Sequence, residues 1–319
     1  MNDNYGFYDR LKEEFPSQII VDVTEVCNLS CIHCPHERYE KLNILNRNFL
    51  DISLNRKLVE EVKKYGNGNT QQIRYTANGE PLVHPKIYEM LKYAADYSET
   101  FVSVTTNGTL LNENNVKTLL GTGVKLIDIS IDAFYNETYL KIRKNGNLEI
   151  TRSNVLNLIK LKNDLKLDTK IVVSFVEQEL NKDEVKEFQN YWNSNGVDYV
   201  IIRKLHSAGG ANNYRNVKLN ECRQKREPCV YPWERIMLTA KGNLSYCPNC
   251  WDGGAKITDY KNTSIYNVWH SEFYENLRKS NISADLRDFS FCNQCGDWAQ
   301  TTWPNKGRGY GDMINDFNK

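Results

Sequence analysis

Cys27-Asn28-Leu29-Ser30-Cys31-Ile32-His33-Cys34 carries three thiols in one short stretch, directly after an apolar, β-branched run at 19–23. Intervals of three and two residues bring thiolates to one point, as metal and iron–sulfur ligation require. A strand followed at once by reactive side chains suits a βα barrel, which places its chemistry at the C-terminal ends of its strands. Three cysteines hold three irons of a cubane and leave the fourth iron open to a small molecule. The competing reading is a structural zinc site with His33 or His36 as fourth ligand, for which this spacing is poor.

Outward from this stretch, short β-branched runs alternate with longer amphipathic segments. Strands are predicted at 19–23, 73–76, 101–105, 126–131, 170–175 and 199–202. Helices are predicted at 54–65, 85–97, 112–120, 152–165 and 183–193, each with apolar residues three and four apart. Turns such as Asn107-Gly108 separate them. Such repeated βα units imply a parallel, barrel-like sheet, complete or partial. Beyond it, 235–240 and 243–246 read as a β-hairpin around Lys241-Gly242, and 265–279 as one amphipathic helix with Trp269, Phe273 and Leu277 on its stripe.

The chain of 319 residues has 41 basic and 40 acidic side chains, a formal charge of +1. That balance gives no reason to expect nucleic acid or an anionic membrane as partner. It suits an uncharged or mildly basic small substrate better than a polyanion. No run of apolar residues is long enough to span a bilayer, and the first residues lack the order of a signal peptide, so a cytoplasmic protein is expected. Nine cysteines are the unusual feature. In a reducing cytosol they are not expected to pair as disulfides. Six of them, at 222, 229, 247, 250, 292 and 295, form a second group near the C-terminus. There, Cys247-Pro-Asn-Cys250 and Cys292-Asn-Gln-Cys295 alone would also suit a zinc ribbon.

Together with the motifs downstream of it, the triad resembles the signature of the radical S-adenosylmethionine enzymes. Ala77-Asn78-Gly79-Glu80-Pro81 after the second strand is similar to the family's Gly-Gly-Glu-Pro motif, with Asn78 in place of the first glycine. Thr105-Thr106-Asn107-Gly108 comes after the third strand, and Ser130 and Asp132 end the fourth. The resemblance implies that Cys27, Cys31 and Cys34 hold a 4Fe–4S cluster. It further implies that Asn78, Gly79, Glu80, Thr106, Asn107, Ser130, Asp132, Arg143 and Ser174 bind S-adenosylmethionine, with Glu80 near its amino group, Arg143 near its carboxylate and Ser174 near its ribose. Reductive cleavage of the sulfonium would then give a 5′-deoxyadenosyl radical able to take hydrogen from an unactivated carbon, with flavodoxin or ferredoxin as the electron donor.

The C-terminal order Cys229-Val-Tyr-Pro-Trp, Gly242, Cys247, a helix and Cys292-x2-Cys295 resembles the SPASM and shorter twitch extensions of that family. It implies one auxiliary 4Fe–4S cluster on Cys229, Cys247, Cys292 and Cys295. Cys222 and Cys250 stay outside this set, Cys222 read as a packed or surface residue and Cys250 as an alternative ligand or a hydrogen-atom donor. The expected fold is α/β, a partial (β/α)6 TIM barrel with a SPASM/twitch extension built from a β-hairpin and a helix. The expected domains are an extension at 1–17, the barrel at 18–206, a linker at 207–228, the auxiliary domain at 229–300 and a tail at 301–319. The expected activity is dehydrogenation or epimerisation of a sugar, aminocyclitol or related alcohol, with His206 after the sixth strand as a candidate base. The alternative is a peptide substrate, made less favourable by the short segment before the first strand.

Overall fold

In the computed structural model, six strands run parallel in chain order: β1 (Gln18–Val21), β2 (Gln72–Tyr75), β3 (Phe101–Thr106), β4 (Leu126–Ser130), β5 (Lys170–Glu177) and β6 (Tyr199–Lys204). The structure describes residues 11–76, 78–207 and 226–300. The predicted tail, Cys222 and most of the predicted linker and N-terminal extension lie outside the described residues.

The register explains the strands. Ile19 sits opposite Ile73, Ile73 opposite Val102, Val104 opposite Ile127, and Ile127 opposite Ile171. All are buried in one core with side chains of the covering helices, such as Leu58, Leu91, Leu119, Leu158 and Trp192. Each such side chain contributes about 1.5–3 kcal/mol when fully buried. Because strand side chains alternate between faces, the intervening positions fall on the barrel's inner face, and several of them are polar. Gln18 donates to Gln72 at 2.9 Å and Gln72 to Ser103 at 2.6 Å.

The helices of this part are α1 (His36–Lys41), α2 (Ile52–Glu61), α3 (Ile87–Tyr97), α4 (Glu113–Leu120), α5 (Asn136–Ile142), α6 (Leu148–Asp164) and α7 (Val185–Ser194). Caps set two starts earlier than apolar periodicity alone predicts. Asp51 accepts from Ser53 N ahead of α2, and Asn147 from Ile150 N ahead of α6.

The barrel is open between β1 and β6. At β1 the sheet continues into the C-terminal part: α8 (Tyr231–Glu234) leads into β7 (Arg235–Leu238), which pairs parallel to β1 with Ile20 opposite Met237. β8 (Asn243–Ser245) and β9 (Lys256–Asp259) follow antiparallel, giving the order β9-β8-β7-β1-β2-β3-β4-β5-β6. The expected hairpin therefore gains a third strand. The expected single helix over 265–279 is two, α9 (Ile265–Trp269) and α10 (Glu272–Ser283), because Ser271 between them is extended at φ −77° and ψ 158°. A last short helix, α11 (Ser290–Gln294), precedes Cys295. The extension docks on α2: Glu61 accepts from Tyr260 Oη at 2.8 Å and Ile265 N at 2.7 Å, and Lys57 Nζ donates to the Tyr260 and Thr263 carbonyls. No helix among the described residues is long and apolar enough to cross a membrane.

Candidate active site

The loop bearing the three thiols is held from two sides. A short antiparallel ribbon pairs Ser30 with Lys144 and Cys31 with Arg143, extended by Ile32 N donating to Ile142 O at 2.9 Å. This places Arg143 beside Cys31. Its guanidinium is buried and donates to Asp132 Oδ2 through Nε at 2.9 Å and Nη2 at 2.5 Å. Asp132 adopts the left-handed conformation, φ 62°, which Asp tolerates better than most residues. Its other carboxylate oxygen accepts from Val176 N at 2.7 Å and its carbonyl from Asn181 Nδ2 at 2.8 Å. His33 Nε2 lies 3.5 Å from Asp132 Oδ2, and burial pulls the imidazole down to about 4, so it is neutral.

On the other side, the loops after β2 and β3 close on Cys27 and Asn28. Glu80 is buried and accepts from Thr106 Oγ1 at 2.6 Å, Asn107 N at 2.7 Å and Leu82 N at 3.1 Å. Burial raises its carboxyl above the ordinary range, opposed by these donors. Asn107 Nδ2 donates to Asn28 Oδ1 at 2.8 Å, and Asn28 Nδ2 to Thr109 Oγ1 at 2.8 Å. Gly79 lies so close to the triad loop that a Cβ would stand 2.3 Å from Thr24 O and 2.5 Å from Val26 O. Asn78 donates its backbone N–H to Asp22 Oδ1 at 3.2 Å, while its side-chain oxygen is buried without a partner.

Ser130 and Ser174 lie further inside the barrel. Their hydroxyls are 3.4 Å apart, and Ser174 donates to Asp128 Oδ1 at 2.7 Å. The predicted S-adenosylmethionine residues thus fall into three groups: Asn78, Gly79, Glu80, Thr106 and Asn107 around Cys27, Asp132 and Arg143 beside Cys31, and the two serines below. Sequence reasoning missed Asp22 and Asp128. Asp22 accepts from Asn78 N and Ala240 N, tying β2's loop to the C-terminal hairpin, and burial lifts its carboxyl to about 8. The available signal was an acid at an inward position of an otherwise apolar strand.

A cavity of about 320 Å³ opens above the barrel interior, bordered by Arg74, Thr76, Arg203 and His206 from the barrel and by Tyr231, Asn249, Trp251 and Asp297 from the extension, among others. Trp251 also stacks on Tyr39 of α1 at 6.4 Å. Next to this cavity is a second chamber, walled by Cys229, Cys247, Cys292 and Cys295 together with Arg226, Tyr246 and Asn281. Tyr231, Asn249 and Asp297 border both. Cys250 borders neither: its thiol donates to Asp252 Oδ1 at 3.1 Å and accepts from Ala255 N at 2.9 Å.

The donor chemistry fits iron–sulfur clusters. Burial pushes the thiols up, to about 11 at Cys27 and about 12 at Cys34, Cys292 and Cys295. A cationic centre reverses that and deprotonates them. The side-chain oxygens of Asn78 and Asn281 are buried without a partner, and Asn281 borders the four-thiol chamber. Among the described residues no three His, Cys, Asp or Glu side chains close tightly enough for a single ion.

Residues 21–191 match the radical SAM superfamily, and the chain belongs to that family. Residues 229–296 match the SPASM iron–sulfur cluster-binding domain. The chain is therefore a radical S-adenosylmethionine enzyme with a SPASM domain, whose cofactors are S-adenosylmethionine and 4Fe–4S clusters. It is 27% identical over 202 residues to a GTP 3′,8-cyclase of Clostridium perfringens, a match over 63% of this chain and 59% of the relative. The match thus spans less than two thirds of that relative's length. In fold it is similar to BtrN, solved in complex with AdoMet and 2-DOIA, at a TM-score of 0.58 and 17% identity over 89% of this chain and 94% of that one. It is likewise similar to anSMEcpe with bound AdoMet, at a TM-score of 0.62 and 13% identity over 94% and 95% of the two chains.

Proposed function

We propose that this enzyme dehydrogenates an alcohol carbon of a small polar substrate, such as a sugar or aminocyclitol, held in the cavity of about 320 Å³. The observation that carries this reading is the shared wall: Tyr231, Asn249 and Asp297 border both that cavity and the four-thiol chamber. In this reading Cys27, Cys31 and Cys34 hold the cluster that binds S-adenosylmethionine, and Cys229, Cys247, Cys292 and Cys295 hold one auxiliary cluster. When bound, these groups would supply the means to abstract a hydrogen atom from carbon and a one-electron acceptor. The chain's own residues do the rest. Arg143, fixed by Asp132, would hold the carboxylate of S-adenosylmethionine, and the loops of Glu80 and Asn107 its amino end. His206 borders the cavity and is the proposed acceptor of the hydroxyl proton. Trp251 and Tyr231 cover the substrate and limit entry of water.

Epimerisation needs a hydrogen-atom donor on the face opposite abstraction. Cys250 bonds into its own loop, which favours dehydrogenation. A peptide substrate is the second reading, favoured by the likeness in fold to anSMEcpe in its complex with a Cp18Cys peptide, which covers 94% of this chain. The test is anaerobic turnover in deuterated water with S-adenosylmethionine and dithionite, against alcohols, aminocyclitols and short peptides. Dehydrogenation gives one ketone per 5′-deoxyadenosine and no deuterium at the oxidised carbon. Deuterium at an inverted carbon overturns it in favour of epimerisation, and stimulation by peptides alone overturns it in favour of the second reading.

A further inference from the structure

The wall of the four-thiol chamber contains one cationic side chain for which the proposed reaction has so far no use. Arg226 borders the chamber together with Cys229, Cys247, Cys292 and Cys295. Its Nη1 donates to the Cys292 carbonyl at 3.0 Å and the Cys295 carbonyl at 3.5 Å, which ties the guanidinium to the turn carrying both thiols. Its guanidinium carbon stands over Trp298, 5.7 Å from the ring centroid. Its Nε is buried without a hydrogen-bond partner. Elsewhere in the barrel and its extension, Arg143, Arg203 and Arg235 each lie against a carboxylate, Asp132, Asp128 and Glu234 in turn. At Arg226 that place is taken by thiols. Burial lowers its pKa, and the groups that oppose this are Cys292, Cys295 and Cys229. Bracing two carbonyls needs only a neutral donor. A guanidinium that has lost hydration calls for an anionic neighbour.

Four thiolates around an iron–sulfur cubane make such a neighbour, and reduction adds one more negative charge. A fixed positive charge close by favours the reduced form over the oxidised one. Net charge and hydrogen bonding to the sulfurs are main determinants of a cluster's potential. We infer that Arg226 supplies this charge beside the auxiliary cluster and so raises the potential at which the cluster takes one electron. This rests on the reading of Cys229, Cys247, Cys292 and Cys295 as the cluster's ligands. In the proposed dehydrogenation, loss of a hydrogen atom from carbon and of the hydroxyl proton leaves one electron, and the carbon–oxygen double bond forms as that electron departs to the cluster. Arg226 acts through the cluster and touches no reacting atom, so it is a positioning residue.

The experiment is a redox titration of the cluster-loaded enzyme, followed by electron paramagnetic resonance with and without S-adenosylmethionine. The signal that S-adenosylmethionine leaves unchanged belongs to the auxiliary cluster. At the midpoint potential of the unaltered enzyme, Arg226→Gln is expected to cut the ratio of reduced to oxidised auxiliary cluster by about tenfold, a fall of about 59 mV for one electron. Arg226→Lys keeps the charge and is expected to recover most of that fall. Equal midpoints in the unaltered enzyme and Arg226→Gln, or a lysine variant as low as the glutamine one, overturn the inference. A second measurement needs no variant. In the reduced, unaltered enzyme made with arginine carrying the heavy nitrogen isotope, pulsed resonance is expected to show the label coupled to the auxiliary signal. No coupling overturns the inference, including where Arg226→Gln fails to keep its iron. About four iron per chain with no second signal overturns both the inference and the reading of the chamber. A second signal indifferent to Arg226→Gln removes only the inference, whereas a shifted midpoint with no ketone from any alcohol removes only the dehydrogenation.

Discussion

Replacing Gly79 by alanine adds one carbon where the backbone of the triad loop already stands. The new Cβ would be 2.3 Å from Thr24 O, 2.5 Å from Val26 O and 3.0 Å from Val26 N. None of these is a side-chain end that can rotate away. Ordinary contact begins near 3.4 Å, so the two loops must part by about 1 Å. That separation stretches the bond from Glu80 N to Val26 O, now 2.9 Å, beyond hydrogen-bond range. Overpacking costs about 1–3 kcal/mol, and a buried backbone pair left unmade costs about 1–3 kcal/mol more. The cluster-free protein should therefore melt lower by on the order of 10 °C. The second consequence is local, because Cys27 is the next residue after Val26. Anaerobic reconstitution, expected to give about eight iron per chain with two cubanes, should fall to about four, with the C-terminal chamber still loaded. Gly121→Ala, whose Cβ would meet nothing nearer than 3.3 Å, is the control. Unchanged melting and full iron in Gly79→Ala would refute the view that this glycine exists for the contact between the loops.

Asp132→Asn keeps an oxygen for Val176 N and a residue type suited to positive φ, yet leaves Arg143 buried without its carboxylate; a loss of about 3–5 kcal/mol in urea unfolding is expected, and a change under about 0.5 kcal/mol would show that the ion pair does not hold Arg143 in place. Asp22 titrates near 8 when folded against an ordinary 3.8. Its raised value means that the stability held by the neutral carboxyl is complete below about pH 4 and is lost as pH rises towards 8, a difference of a few kcal/mol by pH 7. Asp22→Asn should remove that slope, and a stability difference between the two proteins that stays constant from pH 4 to 8 would contradict the assignment. Cys250→Ala should retain about eight iron per chain while losing the thiol's bonds to Asp252 and Ala255 N; a fall to about four iron would make Cys250 a ligand.

The parts legible in the sequence depend on neighbours in the chain. Three thiols within one loop, Asn-Gly-Glu-Pro after a strand and alternating β-branched runs all report interactions over a few residues. What was illegible depends on register. Leu126-Ile127-Asp128-Ile129-Ser130 reads only as a strand until Ser130 is set opposite Ser174, which brings the Ser174 hydroxyl onto Asp128. Asp128's ion-pair partner Arg203 lies on a strand two places away in the sheet, and Arg74 likewise on the other side. Such pairs leave one local trace: a charged residue at alternate positions of an apolar strand. The break in the predicted 265–279 helix has a similar origin. Its apolar stripe continues through the interruption, because Trp269 of α9 and Tyr274 of α10 pack with tilted rings, centroids 4.8 Å apart, in one buried cluster. Periodicity reports that shared core and not the extended Ser271 between the two helices.

Register also ties the residues around the thiol loop to those that border the cavity. Ser174 touches Ser130 on one side and Asp128 on the other, and Asp128 holds two arginines that border the cavity. Asp132, two residues beyond Ser130, holds Arg143 beside Cys31. One strand, β4, with its adjoining turn, therefore aligns the thiol loop and the arginine pair.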